Sequence, residues 1–113
     1  MPEKELHKLW KEVACNCKGE AEYPLPSGRR IDCLDDETQI CAEVEFNGSR
    51  IPIAVQRLME AKRTGKCLHP KLIVKDIDLA YAKDLVSDDV QIIPDSKLTE
   101  KLLSCKIKSI KNM

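Results

Sequence analysis

The stretch Gly28-Arg29-Arg30-Ile31-Asp32-Cys33-Leu34-Asp35-Asp36-Glu37-Thr38-Gln39-Ile40-Cys41-Ala42-Glu43-Val44-Glu45-Phe46 decides how this chain folds. Arg29 to Leu34 and Thr38 to Phe46 both alternate in polarity, and Asp35-Asp36-Glu37 between them is a polar turn. Two alternating runs around such a turn read as a β-hairpin. With an even-length loop, Leu34 faces Gln39, Asp32 faces Cys41 and Arg30 faces Glu43. Strand side chains alternate between faces. Arg30, Asp32, Cys41, Glu43 and Glu45 then share one face, and Ile31, Cys33, Ile40, Ala42, Val44 and Phe46 share the other. The second set is wholly apolar, which supports this register, because a one-residue slip would mix the two sets.

Carboxylates crowded on one face of a hairpin repel each other. Arg30 offsets part of that charge. A divalent cation offsets more, since Mg²⁺ and Mn²⁺ are held by one or two carboxylates plus water and substrate phosphate oxygens. The alternative is a solvated outer face of an antiparallel sheet, where acids are ordinary.

Before the hairpin, Leu6, Leu9, Trp10 and Val13 give Pro2 to Cys15 the spacing of an amphipathic helix. Gly19 to Tyr23 is a short strand, stopped by Pro24-Leu25-Pro26-Ser27-Gly28. After it, Asn47-Gly48-Ser49 is a turn. Ile51, Val55, Leu58 and Met59 mark a helix to about Thr64, with Pro52 in its first turn and Gly65 past its end. Leu72-Ile73-Val74 suits a buried strand, Ile77 to Val86 a short helix, and Val90 to Ile93 a strand closed by Pro94. Asp95 or Ser96 is expected to cap a last helix, whose apolar face is Leu98, Leu102, Leu103, Cys105, Ile107 and Ile110. Antiparallel strands followed by strand–helix alternation predict an α/β (α+β mixed-sheet) fold with helices flanking a central sheet, in one domain over residues 1–113.

Composition bounds the function. The chain has 113 residues, 42% of them apolar and 34% charged, and 19 basic residues balance 19 acidic ones. Zero net charge counts against a nonspecific nucleic-acid binder. No stretch approaches the ~20 apolar residues of a membrane span, and Met-Pro-Glu-Lys-Glu lacks an apolar signal core, so a cytoplasmic chain is expected. Six cysteines occur without a C-x-x-C pair, so zinc-finger spacing is absent. They are expected as free thiols, Cys33 and Cys41 buried among them, with disulfides the alternative if the source is a hyperthermophile. His7 and His69 lack partner spacing and read as structural or surface residues, and Trp10 reads as core.

The element order and the acids together resemble the PD-(D/E)xK nuclease superfamily, which includes restriction enzymes and archaeal Holliday-junction resolvases. Its core runs helix, three strands, helix, strand. Gly28-Arg29-Arg30-Ile31-Asp32 is similar to the Asp motif, and Ala42-Glu43-Val44-Glu45-Phe46 to the acid-x-Lys strand. The likeness covers about residues 3 to 75. Glu45 stands where most relatives have Lys, and some restriction enzymes carry Glu there too. Lys62 continues the apolar stripe of its helix and is set aside as a relocated lysine.

The resemblance implies a restriction-endonuclease-like αβββαβ core and a metal-dependent endonuclease acting on DNA, on structured or branched DNA in particular. Asp32, Glu43 and the Val44 carbonyl would hold Mg²⁺ or Mn²⁺. Glu45 would accept a proton from the attacking water or bind a second metal. Gln56 would join the catalytic set, and Glu5 would be an additional acid from the first helix, although a first-turn acid also complements the helix dipole. Arg29, Arg30, Arg50, Arg57, Arg63 and Lys66 would meet phosphates. A homodimer would cut two strands. The rival readings are a catalytically silent nuclease-like domain that binds nucleic acid or a protein partner, and a small structural or regulatory protein.

Overall fold

The computed structural model describes residues 3–15 and 20–111. Its elements are α1 (Glu3–Val13), β1 (Glu20–Pro24), β2 (Arg30–Asp35), β3 (Ile40–Val44), α2 (Ile51–Arg63), β4 (His69–Val74), α3 (Leu79–Leu85), β5 (Gln91–Pro94) and α4 (Leu98–Lys111). Short 3₁₀ turns at Gly48–Arg50, Asp76–Asp78 and Asp95–Lys97 lead into the last three helices. The expected positions Pro2, Cys17 and Gly19, and the side chains of Ile107 and Ile110, lie outside the described residues.

The five strands lie in sequence order in one mixed sheet. β1, β2 and β3 pair antiparallel, while β3, β4 and β5 pair parallel. Parallel neighbours need crossovers, and α2 and α3 supply them. Both helices contribute to one core, with Ile51, Ala54, Leu58, Ala61 and Ala82 packed on Leu34, Cys41, Leu72 and Val74. Two crossovers of the same hand stepping in the same direction must land on the same face. The other face packs Trp10 and Val13 of α1 and Leu98 of α4 against Cys33, Ala42, Val44, Ile73 and Ile93. Helices therefore cover both faces, and β4 is buried on each side, as a central parallel strand should be. None of the described helices is long and apolar enough to cross a membrane.

The β1–β2 hairpin closes with Pro26, Ser27 and Gly28. The Leu25 N–H donates to the Arg29 carbonyl and the Gly28 N–H to the Leu25 carbonyl. Gly28 takes φ +90°, the left-handed residue that ends such a three-residue loop. Glu60 of α2 holds the tip, accepting the Ser27 N–H at 2.8 Å and its hydroxyl at 2.7 Å.

The β2–β3 hairpin has an even loop, but its register differs from the sequence expectation by two residues. Asp35 pairs with Ile40 and Leu34 with Cys41, whereas Leu34 was expected to face Gln39. The cause is Asp35. Its carboxylate accepts the Glu37 N–H at 3.1 Å and the Thr38 hydroxyl at 2.8 Å, which makes it the last strand residue rather than the first loop residue. Gln39 closes the turn at φ 59°. Because the slip is even, Cys33, Ala42, Val44 and Phe46 still share one face, but Ile31 does not join them.

Three other expectations are corrected. The cysteines among the described residues are not free thiols: Cys15 joins Cys33, Cys41 joins Cys67, and Cys105 is also disulfide-bonded. Sequence spacing gave no sign of this, because the topology brings these Cα atoms to 6.1 and 5.5 Å, inside the usual disulfide range. Asp95 and Ser96 begin a 3₁₀ turn rather than cap α4. Asp95 accepts the Asp76 N–H while Asp76 accepts the Ser96 N–H, so the turns after β4 and β5 cap each other. Leu102 and Leu103 of α4 are exposed rather than part of a core face.

The Cys41–Cys67 bridge closes a loop of 26 residues and ties β3 to the segment entering β4. Removing such a cross-link releases unfolded-chain entropy worth about 3 kcal/mol. Replacing both cysteines by Ser should lower the denaturant midpoint accordingly, measured by circular dichroism under oxidising conditions.

Candidate functional site

The site forms where β2 and β3 part. Their last paired residues are Cys33 and Ala42. One step further, Asp32 and Glu43 stand opposite each other and their side chains replace the missing ladder bonds. The Asp32 N–H donates to Glu43 Oε1 at 2.8 Å, and the Val44 N–H donates to Asp32 Oδ2 at 2.7 Å. Each carboxylate thus satisfies an amide on the opposite strand. Such amides must find acceptors when buried.

The strand is locally irregular here. Ile31 packs in the core beneath α2, whereas Cys33 packs beneath α1. Ile31 and Cys33 were expected on one face; an irregularity at Asp32 separates them. Opposite Asp32 on β1, Glu22 adopts φ 55°, a left-handed conformation that costs a non-glycine residue about 1 kcal/mol or more.

Helices bring cations to both sides of the pair. Lys11 Nζ of α1 lies 3.2 Å from Asp32 Oδ1 and 2.7 Å from Glu22 Oε1. Arg57 Nη1 of α2 lies 3.7 Å from Glu43 Oε2. Arg57 Nε is buried without a hydrogen-bond partner among the described residues. One turn before Lys11, the His7 Nε2–H donates to the Val44 carbonyl at 2.8 Å, and its ring meets Phe46 edge-on.

Glu43 is only 3% exposed, so the solvated-face alternative does not describe it. Burial first, and then the Asp32 charge, raise its carboxyl to about 8, against downward pulls from the Asp32 amide and Arg57. Glu45 adds a smaller upward push. Burial pulls the Lys11 ammonium down, but the hydrogen bonds and charges of Glu22 and Asp32 outweigh it and its pKa rises. The Lys11 hydrogen bond lowers Glu22, helped by the charge of Arg30.

The other expected residues are placed as follows. Glu45 lies at the edge of the site. Its carboxylate accepts the Asn47 N–H and faces Arg50 Nε at 3.6 Å. Gln56 is exposed on α2, and its neighbour Arg57 points at Glu43 instead. Glu5 is exposed and lies roughly 200° around α1 from His7, so it is not brought to the pair. Arg29, Arg63 and Lys66 are exposed near the β1–β2 hairpin. The first two act on Glu60, and Lys66 donates to the Tyr23 hydroxyl. Lys62 pairs with Asp89, away from the site. Sequence reasoning missed Lys11, His7 and Glu22 as site residues. The available signal was the i, i+4 spacing of His7 and Lys11 beside the apolar stripe of α1.

Two carboxylates and a main-chain carbonyl are donors that Mg²⁺ or Mn²⁺ completes with water. Among the described residues no group of three or more His, Cys, Asp or Glu side chains is arranged to hold an ion. A cation here would therefore depend on Asp32, Glu43 and main chain. The donor chemistry fits: an amide fixes one oxygen of each carboxylate, and the other already faces a positive charge.

The raised Glu43 pKa has a consequence for stability. The folded protein keeps a proton that the unfolded chain releases near the ordinary value of 4.5. This contribution is fully present below 4.5, declines as pH rises through about 8, and is level above. Denaturant titrations of wild type and Glu43→Gln across that window should show wild type losing stability relative to the variant as pH rises.

No protein-family model, curated protein or solved structure matches the chain.

Proposed function

We propose that this domain is a metal-dependent endonuclease of the PD-(D/E)xK type, hydrolysing phosphodiester bonds in DNA. The observation that carries the reading is the exchange of Asp32 and Glu43 between β2 and β3, which fixes a half-buried and a buried carboxylate at one point. The order of helix, three strands, helix and strand, with both acids at the parting of the hairpin, supports the same reading.

Asp32 and Glu43, with the Val44 carbonyl, would hold the ion. Bound Mg²⁺ or Mn²⁺ supplies an activated water and neutralises phosphate charge. The amides that hold one oxygen of each acid orient both carboxylates before any ion arrives. Glu45 is the acid assigned to take the proton of the attacking water, after release from Arg50. By the family resemblance, Gln56, beside Arg57, and the arginines around the β1–β2 hairpin would meet the incoming strand. Branched or structured DNA is the substrate class assigned, with two copies cutting two strands. A cytoplasmic location would require the hyperthermophile exception, because disulfides such as these otherwise belong to oxidising compartments.

A second reading is favoured by one observation: Lys11 and Arg57 already pair with both carboxylates. A domain that only binds nucleic acid or protein would keep that arrangement. Incubation with supercoiled, single-stranded and branched DNA and Mg²⁺ or Mn²⁺ separates the two. Cleavage is expected, with Asp32→Asn and Glu43→Gln each at least about 100-fold slower. Binding without cleavage by wild type would favour the silent domain, and neither would sink both nucleic-acid readings for those substrates.

A further inference from the structure

Lys11 touches two acids of the site from a different layer of the fold. It reaches Asp32 from α1 and is held from the other side by Glu22. Glu22 makes that contact from a left-handed backbone in the middle of a strand, next to the point where the hairpin splits. Strain of this kind persists only where the surroundings enforce it. The anchors of α1 are firm: Trp10 is fully buried, and the Cys15–Cys33 bridge ties the end of α1 to the residue after Asp32.

The three cations near the carboxylates are not equivalent. Arg50 faces Glu45, and Arg57 is half-buried against Glu43. An ammonium has three donors. Lys11 spends them on Glu22 and Asp32, and among the described residues no third acceptor is recorded. Its side chain is 26% exposed, so it is not sealed in the core.

Resting on the reading above, we propose that Lys11 is a mobile counter-ion of the site: it neutralises Asp32 while no metal is bound and turns to a non-bridging oxygen of the substrate phosphate when metal takes Asp32. The exchange follows from charge. A divalent ion held by Asp32 would repel the ammonium that now pairs with that carboxylate. Glu22 is not in the donor set, so it keeps Lys11 at the rim. The released donors then lie beside the place where an anionic phosphodiester must sit, and charge-assisted hydrogen bonds to phosphate are the strong ones. Glu22 is the positioning residue of this pair.

The test compares wild type, Lys11→Met, Lys11→Arg and Glu22→Gln, each checked for an unchanged thermal midpoint. Mn²⁺ affinity is measured by calorimetry and cleavage by single-turnover assay at saturating Mn²⁺. Lys11→Met should cut at least about 100-fold more slowly and bind Mn²⁺ as tightly as wild type or more tightly, because a competing cation is gone. Lys11→Arg should recover part of the rate, and Glu22→Gln should lose about 10-fold. Cleavage by Lys11→Met at the wild-type rate would overturn the inference alone. So would a rate loss matched by loss of Mn²⁺ affinity or of folding, which would make Lys11 structural. No cleavage by wild type would overturn the parent reading, and this inference with it.

Discussion

The reciprocal bonding of Asp32 and Glu43 is the constraint around which this structure is arranged. A β-ladder ordinarily satisfies strand amides with strand carbonyls. Here the ladder stops after Cys33 and Ala42, and two carboxylates take over. Buried amides need acceptors, and buried carboxylates need donors or opposite charge. Each group supplies what the other lacks. The exchange is possible only if the two side chains stand opposite each other, so it fixes the parity of the hairpin loop. It also opens the sheet at the point where α1 and α2 insert their cations.

The surrounding charges form a chain of alternating sign. Arg30 acts on Glu22, Glu22 binds Lys11, Lys11 binds Asp32, and Asp32 meets Glu43, which faces Arg57. The one like-charged step in the chain is Asp32 to Glu43; burial first, and then that like charge, makes Glu43 hold its proton more tightly than an exposed acid. Zero net charge is therefore no measure of the local field here. Such groups destabilise a small domain unless paired. The Cys15–Cys33 and Cys41–Cys67 bridges join β2 to the end of α1 and β3 to the start of β4, so both strands of the site are tied to their neighbours.

Much of the architecture was legible in the sequence. The alternation from Arg29 to Phe46 showed the hairpin, and the 3.6-residue spacing at Ile51, Val55 and Leu58 showed α2. That Asp32 and Glu43 share a place followed from loop parity. Their direct opposition did not, because Asp35 can end a strand or begin a turn, and only its bonds to Glu37 and Thr38 decide. Lys11 and His7 were hidden for another reason. Helix periodicity shows which side of α1 is apolar, but not which strand residues its flank will meet. The disulfides were equally invisible, since pairing depends on distances set by the whole topology. Gln56 and Glu5 show the limit of family resemblance: Arg57, next to Gln56, and Lys11, further along the helix of Glu5, are the residues that reach the acids.

The most direct test of the central claim is a crystal of the protein soaked with Mn²⁺, with the ion located by its anomalous scattering. The account predicts one ion in contact with both Asp32 and Glu43, and Lys11 Nζ withdrawn from Asp32 Oδ1. Saturating Mn²⁺ that leaves both carboxylates paired with Lys11 and Arg57, with no ion between them, would contradict it.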